Sequence, residues 1–102
     1  MTIRGVGRFE MVTVSDSAIG ITSTVMDDGF LPQVALIKVE DQPIRWTMDG
    51  TTPTTTVGHA AVAGDEIELI SRDQVVKFRA IKSGATDAVL SVTQGVESVP
   101  MS

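Results

Sequence analysis

The sequence predicts an all-β domain, a small antiparallel sandwich or barrel of about six or seven strands. Three observations predict it. Short runs of alternating apolar and polar residues recur along the chain, and turn-forming residues separate them at close intervals. The whole chain is 102 residues, the size of one domain. Its apolar fraction is 42% with only 4% aromatic residues, so Val, Ile, Leu, Ala and Met must fill the core.

The elements follow in order. Phe9 to Val14 alternates Phe9, Met11 and Thr13 against Glu10, Val12 and Val14. The Ser-, Thr- and Asp-rich stretch after it reads as an extended connection holding one short strand. Ser15 or Ser17 can cap a helical turn there, but Gly20 and the β-branched residues beyond oppose a long helix. Asp27-Asp28-Gly29 before Phe30 reads as a turn. Val34 to Glu40 is the clearest strand, setting Val34, Leu36, Lys38 and Glu40 against Ala35, Ile37 and Val39. Asp41-Gln42-Pro43 reverses the chain, and Ile44 to Met48 is expected to return as the second half of a hairpin. Ile44, Trp46 and Met48 share its inner face.

Gly64-Asp65 then turns into Glu66 to Ile70, with Ile67 and Leu69 inward. Val75 to Ile81 alternates Val76, Phe78 and Ala80 against Lys77 and Arg79, and Val89 to Thr93 closes the domain. The pattern fits an immunoglobulin- or fibronectin-like sandwich with extended termini: an arm over 1–8, the sandwich over 9–94 and a tail over 95–102. The two ends either fray or reach onto neighbouring subunits and become ordered there.

Charge and composition exclude several functions. The formal net charge is −5 and the 8 basic residues are dispersed, so no stripe is available to neutralise phosphates or anionic lipid. Nucleic acid and membrane are not expected partners. There is no cysteine, which removes thiolate catalysis and cysteine zinc sites together. No sustained apolar run suggests a signal or a spanning helix.

The residues also offer no catalytic set. His59 is the single histidine, and in its glycine-flanked loop it has no second group to act on as a base. Glu66 and Glu68 share a strand face, where acids are commonly solvated and guard an edge. Asp27, Asp28 and the Asp49 loop hold fragments of a calcium site without its spacing. "GVG" at Gly5 to Gly7 lacks the remainder of a phosphate loop. No enzyme, no cofactor and no metal is expected.

The stretch "IRWTMDGTTPT", Ile44 to Thr54, holds the single tryptophan. Alternation points Trp46 inward, Asp49-Gly50 supplies a turn with an Asx bond, and the threonines become an exposed rim.

This stretch resembles the "IRYTxDGxxPT" signature of small β-sandwich modules appended to chitobiases and β-hexosaminidases, and that resemblance implies, as the alternative reading, a carbohydrate-binding module, which needs an exposed aromatic platform. The longer run "ALIKVEDQPIRWTMDGTTPTTTVGHAAVAGDEIEL", followed by "FRAIKSGATDAVLSVT", is similar to a group of short virion proteins of tailed bacteriophages. That resemblance runs from about Ala18 to Thr93. The aromatic finish of those proteins is replaced here by Thr93-Gln94, and a tail follows to Ser102. The resemblance implies a structural protein of the virion, made in the bacterial cytoplasm; the expected role is capsid decoration or cement, with a neck, tail or fibre component as the alternative. Its expected partners are the major capsid protein or other virion subunits, and copies of itself in a dimer, trimer or ring. The residues expected to make these contacts are Arg4, Arg8, Phe9, Asp49, Thr51, Thr52, Pro53, Thr54 and His59.

Overall fold

The computed structural model of the chain describes residues 3–25, 29 and 31–97. Asp27, Asp28 and Phe30 of the expected turn, and the tail residues 98–102, lie outside the described residues. The fold is all-β: the described residues form seven strands in two antiparallel sheets, with one short helix.

In chain order the elements are β1 Ile3–Val14, β2 Val34–Val39, β3 Ile44–Thr47, β4 His59–Ala61, β5 Glu66–Leu69, α1 Arg72–Lys77, β6 Arg79–Lys82 and β7 Ala88–Glu97. One sheet runs β1-β7-β2-β5 and the other β4-β3-β6. The β2–β5 and β3–β6 ladders correspond to the second-with-fifth and third-with-sixth pairings of an immunoglobulin sandwich. The last strand differs from that plan, because β7 inserts between β1 and β2.

The alternation read from the sequence sets the core. Val12 and Val14 of β1, Ala35, Ile37 and Val39 of β2, Ile67 and Leu69 of β5, and Leu90 and Val92 of β7 face one way. They meet Ile44, Ala61 and Ala80 from the second sheet and Phe78 at the end of α1. Burying a Val, Leu, Ile or Phe side chain is worth roughly 1.5–3 kcal/mol, so these inner faces hold the layers together.

Three expectations need correction. The Asp41-Gln42-Pro43 reversal joins no hairpin: β2 and β3 belong to different sheets. β2 already has β5 on one edge and β7 on the other, which leaves no edge for β3. The crossing is pinned instead, with Asp41 Oδ1 accepting from the Val89 N–H at 3.0 Å and the Pro43 carbonyl accepting from Ser83.

The first half of Val75 to Ile81 is helix, not strand. Ser71 caps it, its Oγ accepting from the Gln74 N–H at 3.3 Å, while Gln74 Oε1 accepts from the Ile70 N–H at 2.8 Å. Asp73 and Lys77 bridge one turn at 3.3 Å. The turn buries Val75 and leaves Val76 exposed, and the chain re-enters a strand at Arg79 with Phe78 and Ala80 buried.

Finally, strand pairing extends past the 9–94 limits. Ile3 pairs with Glu97, so residues 3–8 and 95–97 are strand rather than arm and tail. The described part of the connection after β1 is extended, as expected, with a bridge from Ile19 to Ala80.

Candidate functional site

The expected contact residues fall into two groups on different sheets. The first lies at the end of β3. Trp46 pairs in register with His59 of β4 and Ala80 of β6. The His59 ring lies at a centroid distance of 4.9 Å from the Trp46 ring, and that of Phe78, just before β6, at 6.0 Å. Trp46 is half-buried and packs against the core.

Beyond it, Thr47, Met48, Asp49, Thr51, Gly58 and His59 line a depression of about 450 Å³. Its floor is shaped by backbone geometry. Gly50 has φ +92, and Asp49 Oδ1 accepts from the Thr51 N–H at 3.0 Å, forming the expected Asx turn. That backbone N–H, then the Thr51 hydroxyl, holds the Asp49 carboxyl below its ordinary value of 3.8; the field of His59 adds a smaller push. Gly58, at φ +121, lies so close to β3 that an added Cβ would sit 3.0 Å from the Trp46 carbonyl oxygen and 3.2 Å from its nitrogen.

The polar groups of this loop are largely committed to one another. The Thr47 hydroxyl donates to the Thr51 carbonyl, and Arg45 donates to the Gly58 carbonyl at 3.0 Å. Thr54 Oγ1 accepts from Val57 at 3.0 Å, while the backbones of Thr54 and Val57 bond reciprocally. Asp49, Thr51 and His59 are thus brought together, and Thr52 and Thr54 stand exposed on the rim. Pro53 is buried and is removed from the set of contact residues. Its apolar ring is excluded from water although its neighbours Thr52 and Thr54 are exposed.

The second group lies on β1. The Arg4 backbone is in β1, and its side chain is outside the described residues. Arg8 is half-buried and structural: Nη1 donates to Gln94 Oε1 at 3.2 Å, and Nη2 to the Thr24 and Val25 carbonyls at 3.1 and 2.8 Å. Gln94 is wholly buried and donates its amide to the Thr22 carbonyl. Glu10 accepts from both the N–H and the hydroxyl of Thr22 at 3.1 and 2.9 Å. These bonds fasten the long connection to the β1–β7 pair.

Phe9 stands on the opposite, outer face and is 62% exposed. Sequence reasoning missed its neighbour two residues on, Met11, which is 54% exposed. The signal was present: the alternation that puts Val12 and Val14 in the core must put Phe9 and Met11 outside together.

Among the described residues, no group of three His, Asp or Glu side chains lies close enough to hold a metal ion. Comparison with protein families, with curated proteins and with solved structures finds no match to this chain.

Proposed function

We propose that the chain is a structural protein of a tailed-phage virion, a decoration or cement protein seated on neighbouring subunits of the capsid. The run from Ala35 to Leu69 and the "FRAIKSGATDAVLSVT" segment carry the resemblance on which this reading rests. The single structural observation in its favour is β1. It is a long strand at the edge of its sheet, with Phe9 and Met11 exposed side by side on the outer face. Exposed apolar residues on an open edge serve association rather than the folding of the chain that carries them. Repetition of such a contact over a symmetric lattice converts weak binding into durable attachment.

The test is an inventory of the particle. Mass spectrometry of separated heads and tails from purified virions should find the chain in heads, at a copy number on the order of hundreds, as lattice symmetry requires. About a dozen copies at the neck or tail would assign it to a connector ring instead. Absence from particles would end the proposal.

A further inference from the structure

β1 terminates its sheet, so one side of its backbone faces β7 and the other faces outward. The outward N–H and C=O groups of such a strand form a template for another strand. Among the described residues, no backbone hydrogen bond joins Arg8–Val14 to anything but β7. The register with β7 shifts between Ile3 and Gly5 and again between Val6 and Arg8, then runs unbroken from Arg8 to Val14. That segment is regular and open.

Nothing guards it. Edges are commonly protected by lysine, proline or an inward-pointing charge. No lysine or proline occurs from Arg8 to Val14. The inner-face charges, Arg8 and Glu10, are held inside the chain by Gln94, Thr22 and the carbonyls of Thr24 and Val25. The opposite edge of the sheet is defended by contrast: β5 is short and carries exposed Glu66 and Glu68 on its outer face.

We infer that β1 pairs antiparallel with β1 of a second copy over Arg8–Val14, joining the two four-stranded sheets edge to edge. A two-fold axis presents each copy with the same segment running in the opposite direction. The two sheets keep a common inner face only when inward residues oppose inward residues, because a slip of one turns the apolar face over. A two-fold at Glu10 would set that carboxylate against its own copy, which like charge opposes. A two-fold at Phe9 would draw the irregular Gly7 region into the ladder. A two-fold at Met11 uses the whole regular segment.

In this register Met11 faces Met11, Phe9 faces Thr13 of the second copy, and Glu10 faces Val12. Phe9 of each copy then lies diagonal to Met11 of the other across the seam, within reach of it. Inside their own sheet they sit beside Thr93 and Ser91, side chains too small to cover them. The pairing supplies the self-contact that the virion reading calls for, and it does not depend on that reading.

The experiment uses the purified full chain with no other virion protein present, so that its outcome is independent of the particle inventory. Sedimentation equilibrium should find a dimer, and Met11→Lys should weaken it by roughly tenfold or more, since two ammonium groups meet at the axis. Met11 is exposed in the single chain, so the variant should keep its strand circular dichroism and the thermal midpoint of wild type diluted to monomer.

The absence of cysteine allows a check of register. Met11→Cys should oxidise to a linked dimer roughly tenfold or more faster than Thr55→Cys in the exposed loop, because pairing fixes the two thiols together. Phe9→Cys mixed with Thr13→Cys should link to each other in preference to themselves. A monomeric wild-type chain would overturn the inference. So would a dimer that survives Met11→Lys, or one in which Met11→Cys links no faster than Thr55→Cys; a foreign strand or another surface would then be the partner.

Discussion

The loop end around Asp49 and the β1 edge were expected to do the same work, and the structure builds them in opposite ways. The loop is polar and turns its bonding capacity inward. Asp49 binds Thr51, Thr47 binds the Thr51 carbonyl, and Thr54 closes on Val57. β1 is apolar on its outer face, and its outward backbone has no partner among the described residues. A residue list rich in Thr and Asp looks reactive in one dimension. In three, the short side chains reach their own backbone first, while a strand cannot satisfy its own outer edge.

This contrast can be broken or sharpened by substitution. The largest effect belongs to the base of the loop end. Phe78→Ala removes a fully buried ring that supports Trp46, and should lower unfolding free energy by about 3–5 kcal/mol in urea titration. Trp46 emission should shift to the red in the same variant while dimerisation persists. Loss of dimer without loss of stability would place the association surface at the loop.

Gly58→Ala comes next. It combines a left-handed φ of +121 with a Cβ driven against the Trp46 backbone, and should cost about 2–3 kcal/mol. A neutral result would mean that β3 and β4 do not approach as closely as described.

On the β1 side, Gln94→Leu keeps the volume buried but leaves the Thr22 carbonyl and the Arg8 guanidinium short of a partner. The expected loss is about 1–3 kcal/mol, read as a lower denaturation midpoint with an unchanged denaturant slope.

The smallest effect is at Asp49. Its carboxyl titrates below the ordinary value of 3.8 because the folded chain bonds its ionised form. The folded state therefore binds the proton less readily than the unfolded one, so the contribution is present above that value and lost as the pH falls through the folded one. The thermal midpoint of Asp49→Ala should lie slightly below wild type at neutral pH. The gap should narrow once the pH drops below 3.8. A gap that widened on acidification would contradict the Asx assignment.

Much of the fold was legible because burial obeys a period of two. Ala35, Ile37 and Val39, and then Ile67 and Leu69, went inward as their alternation required. What stayed hidden was non-local or resembled something else. Val75-Val76 reads as strand by composition, and only the Ser71–Gln74 cap reveals the helix. The Asp41-Gln42-Pro43 turn is compatible with a hairpin, and it is β7, beginning only at Ala88, that takes an edge of β2. Glycines at 5, 7 and 95 disguised the ends of β1 and β7, since the Ile3–Glu97 pairing depends on chain segments from opposite ends meeting.

The site was legible in the same measure. The Asp49-Gly50 turn, the inward Trp46 and the exposed Phe9 could be read from local pattern. The burial of Pro53 and the internal use of Arg8 could not, because both depend on what folds over them.

The β1 edge itself can be tested most directly by amide hydrogen exchange. In Arg8–Val14 the amides that point away from β7 should be protected at high protein concentration, and should lose that protection on dilution or in Met11→Lys. The amides that point toward β7 should stay protected throughout. Outward amides that exchange at one rate, whatever the concentration, would show that no second strand binds there.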